Sequence, residues 1–528
     1  MSVLSLFSKC RGWSLCAVLA LACAPGSAHA QAAQKADLLI THATIVDAAH
    51  ARTVADQAVV IRGDDIVAVG ATDDVASDWS ATRVLDARGR FLMPGLWDMH
   101  VHFGGQGLIP ENKALMPLYV ANGVTTVRDC SGDLAPAVLS WRGDIASGKL
   151  FGPRLFSSGA KIEGIDPSWT GTLEVGSKAD VDAALDKLQA DHVDFVKITN
   201  SSLKPELFLY AVSQASKRGM RISAHIPLGL TVEQAVKAGL TSIEHIGYAY
   251  KMGAEHEAAI VADYRAGRIT STEARQRLAA DFDPATAMKA YRWLAAHDVY
   301  VTPTAYEGTV FAHLDTDTHR DDPELAYIGP GMRETWTWRV ARAARDNAAE
   351  VAARHRHVQD ELKVLPMLQK AGVRILVGTD AGFLNSFIYP GFSLHDEMET
   401  YVEAGLTPAQ VLAAATRNGP RFFGKLDRYG SVAVGKAADL LLLARNPLED
   451  VSATRDIDAI VMRGKLYDRA QIKSMLRDVR QQVATWDADV KAHRSQIALW
   501  KTENHAAAIG KAERYAADAR ERKAAEHP

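Results

Sequence analysis

The middle of the chain, about residues 94–423, alternates short apolar runs with helix-like stretches. This alternation is typical of βα units built around a parallel sheet. The runs that resemble strands end at residues 102, 128, 197, 225, 245, 303 and 380. Polar residues recur at these ends all along the region, which favours an α/β fold of the (β/α)8 TIM-barrel type over an open doubly wound sheet.

Both flanks of this region are rich in strand-like sequence. Residues 31–93 contain alternating runs such as Gln57–Arg62 and Asp65–Gly70, and residues 424–468 contain Ala438–Leu443 and Ile457–Gly464. Turn residues separate the runs. We predict that the two flanking segments together form one small β-sandwich.

Two stretches have the pattern of additional helices. Residues from about 250 to 356 are too many for a simple βα loop and include charged helical runs such as Ser271–Leu278, so we predict a helical insertion near the mouth of the barrel. Residues 469–528 are charged and rich in alanine, with apolar residues such as Val479 and Val483 at helical spacing. This last segment is predicted to be a C-terminal helical extension.

The first thirty residues have the pattern of a signal peptide. Lys9 and Arg11 precede the apolar run Leu15–Cys23, and Ala28–Ala30 forms a small-residue cleavage site. We predict cleavage after Ala30 and a periplasmic or secreted protein. A lipoprotein attached at Cys23 is the weaker alternative, because no leucine stands at the third position before it.

Composition narrows the classes of partner. The net charge of -3 gives no excess of positive charge that would attract nucleic acid. The apolar run near the N-terminus is too short to span a bilayer comfortably. The expected partner is a small molecule. Of the four cysteines, only Cys130 remains after cleavage, so the mature chain has no internal disulfide.

His100 and His102 end the first strand-like run of the central region. Residues two apart in a strand project to the same side, and imidazole is a common ligand of zinc and similar metals. An isolated pair of this kind is more often two ordinary core or surface histidines. A second pair, His355 and His357, lies in a charged helical stretch where residues two apart diverge, and we interpret it as solvent-exposed.

Further metal-ligating residues end later runs. His225, His245 and Asp380 each close a strand-like segment, at the end of the barrel where active sites are built. Each is weak evidence alone, but their order and spacing together indicate a metal site. Lys197 ends another run; from spacing alone it is best explained as a lysine paired with an acid such as Asp194, the alternative being a carbamate that bridges two metals.

The complete set of motifs resembles the amidohydrolase superfamily, in its imidazolonepropionase-like and Xaa-Pro or Xaa-Arg dipeptidase-like branch. The resemblance extends over about Ala36–Tyr467. The matching segments include Pro94–His102, Gly152–Arg154, Val196–Ile198, Ser223–His225, Ser242–His245, Gly378–Gly382, Leu394–Met398, Ala404–Pro408, Ala414–Asn418 and Gly435–Leu440.

The resemblance implies a barrel flanked by a small β-sandwich and two divalent metal ions, usually Zn2+. It implies that one ion is held by His100, His102 and Asp380, the other by His225 and His245, with Lys197 as N6-carboxylysine between them. Solvent between the ions would lose its proton near neutral pH and act as a metal-bound hydroxide. Asp380 would serve as general base and afterwards protonate the leaving group.

Departures from the family pattern affect substrate binding. Relatives often have a second histidine where this chain has Ile226–Pro227, and a Gly-Gly-His where it has Gly164–Asp166. Candidates for substrate contact are Tyr248, Tyr306 and Trp169, each of which also fits ordinary packing, and we interpret His395 as a helix-packing residue.

We therefore expect an exported hydrolase that cleaves a C–N bond in a dipeptide, an N-acyl amino acid or a cyclic amide. Ester or lactone hydrolysis at the same metals is one alternative, because pocket shape makes that choice. A non-catalytic metal-binding protein is another, although it would not require Asp380. If Lys197 is unmodified, a single metal ion suffices. Iron or manganese could replace zinc, because imidazole and carboxylate ligands do not decide the metal. The sequence is also compatible with a homo-oligomer.

Overall fold

The computed structural model describes residues 33–488. The predicted signal peptide and its cleavage site after Ala30 lie outside these residues. So does the predicted helical tail beyond Ala488.

The strands in chain order are β1 (Gln34–Asp47), β2 (Arg52–Arg62), β3 (Asp65–Ala71), β4 (Trp79–Asp86), β5 (Phe91–Pro94), β6 (Leu96–His102), β7 (Val124–Asp129), β8 (Arg154–Ser157), β9 (Lys161–Glu163), β10 (Thr172–Glu174), β11 (Val196–Ile198), β12 (Ile222–Ala224), β13 (Ser242–Glu244), β14 (Tyr300–Thr302), β15 (Arg374–Ile375), β16 (Ala381–Gly382), β17 (Leu440–Leu443), β18 (Ile457–Met462) and β19 (Lys465–Asp468).

The α-helices are α1 (Thr72–Val75), α2 (Ile109–Ala121), α3 (Ala135–Ala146), α4 (Lys178–Ala190), α5 (Pro205–Lys217), α6 (Val232–Ala238), α7 (Ile246–Lys251), α8 (Glu257–Arg265), α9 (Ser271–Ala280), α10 (Pro284–Ala296), α11 (Ala305–Ala312), α12 (Pro330–Ala343), α13 (Ala348–Leu362), α14 (Val364–Ala371), α15 (Ser393–Glu403), α16 (Pro408–Ala413), α17 (Gly419–Phe422) and α18 (Arg469–Ala488). Short 3-10 turns lie at Ala76–Asp78, Gln106–Leu108, Pro323–Tyr327 and Val451–Arg455, and a π-helical turn at Ala414–Asn418.

Strands from the two flanking segments join in one eight-stranded sheet. Its order is β19-β18-β17-β5-β1-β2-β3, and β4 pairs with β1 outside this path. The junction between the segments is the antiparallel pair β5 and β17, in which Met93 lies opposite Leu441. The sequence predicts a sandwich here, and the structure has a single hydrogen-bonded sheet to which both ends contribute.

The leucine run of β17 explains how this sheet packs. Successive residues of a strand point to opposite faces. Leu440 and Leu442 join an apolar cluster with residues of β1, β2 and β18, whereas Leu441 and Leu443 join the main core beside the parallel strands. A strand buried on both faces reads as a continuous apolar run, as this one does.

The central region contains two parallel sheets. One has the order β10-β9-β11-β12-β13-β14-β15 and the other β16-β6-β7-β8. Backbone hydrogen bonds also connect the two sheets at two places: Met99 N donates to Val377 O (2.8 Å), and Asp194 N donates to Ser157 O (2.9 Å). The prediction of an α/β fold with parallel strands and a separate sheet domain is confirmed.

Helices extend this core at two places. In the predicted insertion, α7 to α10 precede β14 and α11 to α13 follow it, so β14 divides the helical stretch into two parts. Helix α18 packs through Ile472, Val479 and Val483, which are buried. Within residues 33–488, none of the helices is both long and apolar enough to cross a membrane.

Candidate metal centre

The six residues predicted to bind metal lie together at the C-terminal ends of the parallel strands. They lie in or directly beside β6, β11, β12, β13 and β16: His100, His102, Lys197, His225, His245 and Asp380. Parallel strands bring these ends to one edge, so residues distant in sequence become neighbours. All except the buried His100 line one cavity of about 320 Å³.

Ring nitrogens and one carboxylate oxygen converge in this group. Asp380 Oδ1 lies 2.9 Å from His102 Nε2 and 3.2 Å from His100 Nε2. His225 Nε2 and His245 Nε2 lie 2.9 Å apart. Ligand atoms of His100, His245 and Asp380 all lie within 4.8 Å of one another. Such convergence of imidazole and carboxylate donors fits divalent metal ions, which commonly take these ligands.

Lys197 is a buried lysine that lines the cavity. Its side chain is buried, and its Nζ has no hydrogen-bond partner among the described residues. The alternative in which Lys197 pairs with Asp194 is wrong, because Asp194 Oδ2 binds Arg142 Nη1 (2.8 Å) and accepts from Ser157 N (2.9 Å). A buried polar group without a partner is costly, so this arrangement fits a modified lysine with metal ligands around it.

The environment keeps most of these histidines in the form that binds metals. Burial, reinforced by the charge of Lys197, lowers the pKa of His100 to about 3. Burial also lowers the pKa of His102 and of His225. For Asp380, burial acts to raise the pKa, but the neighbouring His102 and His100 hold it well below its usual range. Neutral imidazole and ionised carboxylate are the ligand forms of these groups.

His245 differs from the other histidines in its surroundings. Burial acts to lower its pKa, but the carboxyl of Glu307 outweighs that effect and raises the pKa of His245. Its Nδ1 lies 2.8 Å from Thr304 Oγ1 and 3.5 Å from Glu307 Oε2. These contacts orient the ring so that Nε2 faces His225. His245 and Asp380 both have left-handed backbone conformations, with φ of 69° and 64°, as strained residues at functional sites often do.

A buried charge network lies beneath His100. Glu244 Oε2 lies 2.9 Å from His100 Nδ1 and 2.8 Å from Arg128 Nη2. Ser223 and Ser242 donate to the other oxygen of Glu244, at 2.7 and 2.6 Å. Burial acts to raise the pKa of Glu244, but Arg128 and His100 hold it well below its usual range. The network fixes the ring of His100 and leaves its Nε2 for the cavity.

We expect Glu244→Gln to destabilise the protein by about 3 kcal/mol, because it leaves the buried guanidinium of Arg128 without an opposite charge. Urea unfolding measures this loss. The double variant Arg128→Met/Glu244→Gln removes the unpaired charge as well and should recover part of the stability. A double variant less stable than Glu244→Gln alone would show that charge imbalance is not the cause.

Of the three predicted substrate contacts, one lines the cavity and two do not. Trp169 lines the cavity, where its ring lies 6.3 Å from that of Trp338. Tyr248 accepts a hydrogen bond from Asn200 Nδ2 (3.2 Å), and its ring lies 6.4 Å from His225, but it is not among the lining residues. Tyr306 is also outside the described lining and packs in the apolar cluster around Val310.

The remaining histidines lie away from this centre. His395 is buried, with Nδ1 2.9 Å from Thr454 Oγ1 and Nε2 3.0 Å from Asn122 O, which agrees with the predicted packing role. His355 and His357 lie on α13, where they contact Asp315 and Glu361. They are partly exposed, as the spacing on a helix predicts.

Sequence reasoning missed several residues around the centre. Glu244 directly precedes His245, and Arg128 ends the second strand-like run. Both positions at strand ends therefore indicate residues near the site. Glu307, Lys161 and Arg339 also line the cavity. Arg339 and Glu307 lie in the helical stretches around β14, where the sequence pattern does not show which face meets the site.

Comparison with known proteins agrees with this architecture. The chain matches the Amidohydrolase family over residues 91–467. An ochratoxinase from Aspergillus niger is 22% identical over 504 residues, covering 84% of this chain and 90% of the relative. Among solved structures, a bottromycin amidohydrolase is similar with a TM-score of 0.64 and 21% identity, covering 84% of this chain and 90% of that one. A Xaa-Pro dipeptidase with bound methionine in its active site has a TM-score of 0.57 and 22% identity, covering 82% of this chain and 99% of that one.

At these levels of sequence identity, the similarity to solved structures shows the fold. The family match spans most of the chain, and it carries the conclusion that this protein is a hydrolase belonging to the amidohydrolase family.

Proposed function

We propose that this protein is an exported, metal-dependent amidohydrolase that cleaves an amide or peptide-type C–N bond of a small substrate, such as a dipeptide, an N-acyl amino acid or a cyclic amide. The observation that carries the proposal is the convergence of histidine and Asp380 ligand atoms beside the unpartnered Lys197. Relatives named as an amidohydrolase and a dipeptidase support the choice of an amide. Export rests on the pattern of residues 1–30.

We also propose that the two parallel sheets form the closed (β/α)8 barrel predicted from the sequence. The hydrogen bonds that join the two sheets, between Met99 and Val377 and between Asp194 and Ser157, support closure. A closed barrel would hold the ligand-bearing strand ends in fixed relative positions, as a catalytic centre requires.

The proposed metal ligands divide into two sets around Lys197. One ion would be held by His100, His102 and Asp380, and the other by His225 and His245, with Lys197 as a bridging N6-carboxylysine. A donor set rich in imidazole is well suited to Zn2+, while Fe2+ and Mn2+ would also accept it. When bound, such ions acidify water and polarise the scissile carbonyl.

Asp380 is the proposed proton carrier. Its Oδ1 faces the Nε2 atoms of His100 and His102, and the residue lines the cavity in which a substrate would lie. A carboxylate held ionised in this position would take a proton from the attacking water and then donate it to the leaving nitrogen. Hydrolysis by this route needs no covalent bond between enzyme and substrate.

The test is metal content of the purified mature protein together with hydrolysis of matched amide and ester substrates. Two divalent ions per chain and faster amide cleavage would support the proposal. Faster ester or lactone cleavage would favour that alternative, since the same ligands serve both reactions. No hydrolysis of either substrate after zinc and bicarbonate are supplied would favour a metal-binding protein without catalysis.

We expect Thr304→Val to weaken the binding of one metal by about tenfold, because the hydroxyl that orients the ring of His245 is lost. Valine keeps the size and branching of threonine, so packing changes little. Competition with a chelator measures the affinity. Thr304→Ser retains the hydroxyl and should bind metal as the natural protein does; equal affinities in all three proteins would exclude the orienting role.

A further inference from the structure

The cavity contains a lysine that the proposed metal chemistry does not use. Lys161 begins β9 and lines the cavity together with His102 and Lys197. Its side chain is only 6% exposed. Within residues 33–488, Lys161 makes no side-chain hydrogen bond and no ion pair. A buried ammonium group without a hydrogen-bond partner is costly, and a ligand oxygen in the cavity would supply that partner.

The charges of Asp133, Glu163 and Asp129 act to raise the pKa of Lys161 against its burial, but within residues 33–488 none of these carboxylates hydrogen-bonds to its amine. Their oxygens accept hydrogen bonds from other groups. Asp133 Oδ2 accepts from Gly105 N at 2.5 Å. Glu163 accepts hydrogen bonds from the backbone of residues 164 and 201–203. Asp129 accepts from the backbone of Phe103 and Ser131. Burial lowers the pKa of Lys161 to about 8, so the amine is still mostly protonated at neutral pH.

Arg339 is a second cation in the cavity lining, but it is already bound on several sides. Its Nε donates to Leu384 O (3.1 Å), and its Nη2 donates to Asn385 Oδ1 (2.6 Å). Its guanidinium also lies 3.9 Å from the centre of the Phe311 ring. Lys161 is therefore the cation of the two that is free to bind a ligand.

We propose that Lys161 binds a carboxylate of the substrate, which makes the substrate an acylated amino acid with a free carboxylate, such as a dipeptide or an N-acyl amino acid. This inference rests on the proposed amide hydrolysis and selects among its substrate classes. An uncharged cyclic amide would leave the amine of Lys161 without a charged hydrogen-bond partner, which disfavours binding relative to a carboxylate. The apolar lining residues Trp169, Phe383 and Leu384 would contact the uncharged part of the substrate.

The test compares an N-acyl-L-phenylalanine with its carboxamide, which has the same acyl group but no carboxylate, by the rate of acyl release. We expect the full-length holoenzyme to prefer the acid. Lys161→Met should lower kcat/KM for the acid by about 10- to 100-fold, mainly through KM, the range expected for a hydrogen bond between charged groups. Activity on the carboxamide should fall much less than activity on the acid. Lys161→Arg should retain part of the preference, and Lys187→Met, at an exposed lysine, should match the natural protein.

A binding measurement separates this inference from the proposed function. Titration calorimetry of the holoenzyme compares 3-phenylpropanoate with the uncharged 3-phenylpropan-1-ol. Tighter binding of the carboxylate that disappears in Lys161→Met would support the site even if no amide were hydrolysed, in which case only the proposed function fails. If amides are hydrolysed but Lys161→Met changes the acid and the carboxamide equally, the carboxylate site is overturned and the amidohydrolase function stands. Equal loss of binding for both ligands would likewise overturn it.

Discussion

Asp380→Asn is expected to lower kcat by roughly 1,000- to 10,000-fold, because asparagine can neither accept the proton of the attacking water nor return it to the leaving nitrogen. The side chains have nearly the same size, and the amide oxygen can still face His100 and His102. The backbone hydrogen bond from Asp380 N to His100 O (2.7 Å) does not depend on the side chain. The loss should therefore appear in turnover and not in folding.

The measurement is steady-state hydrolysis of an N-acyl amino acid, together with metal content and the thermal unfolding midpoint. Asp186→Asn is a suitable control, because Asp186 is 72% exposed and forms an ion pair with Arg218 away from the cavity. It should leave turnover unchanged. An Asp380→Asn variant that keeps both metals and a near-normal rate would rule out Asp380 as the proton carrier.

The positions of the proposed ligands could be predicted because they follow from two regular geometries. Residues two apart on β6 point the same way, and parallel strands present their C-terminal ends at one edge. His225, His245 and Asp380 could therefore be grouped without knowledge of helix packing. The leucine run of β17 could also be recognised as strand-like from the sequence, because a strand buried on both faces has an uninterrupted apolar pattern.

The groups that support these ligands could not be predicted in the same way. Glu244 and Arg128 are 116 residues apart and meet only through the order of the strands. Thr304 and Glu307 reach His245 across the start of α11, where Thr304 has a left-handed backbone. Nothing in a periodic pattern specifies such a turn, since one residue with positive φ redirects the chain that follows.

The positions of the aromatic residues relative to the cavity could not be predicted either. Trp169 lines the cavity, but Tyr248 and Tyr306 do not, although both tyrosines directly follow strand-like runs. Their placement depends on how the helices around β14 fold over the centre. A tyrosine at such a position buries its ring equally well beside a ligand or in an apolar cluster, so the residue type alone did not distinguish the two.

Lys197→Ala is expected to reduce the metal content from two ions to one per chain and to lower turnover by about 100- to 1,000-fold, because one ion alone loses several kcal/mol of charge stabilisation in the transition state. Lys197 lines the cavity with His102, His225, His245 and Asp380, and its Nζ has no hydrogen-bond partner within residues 33–488. Alanine removes the proposed bridge and leaves space for a small anion. Acetate or propionate should therefore restore part of the second metal and part of the rate.

Metal analysis with and without the short carboxylic acids tests this role, and Lys187→Ala provides the control at an exposed lysine. The rescue distinguishes a bridge from a structural lysine, since a carboxylate can replace a carbamate but cannot replace an ammonium group. If Lys197→Ala binds two ions as the natural protein does, the bridge must be removed from the mechanism. If it binds one ion and no acid restores the second, Lys197 holds the strand ends in place and does not ligate the metal.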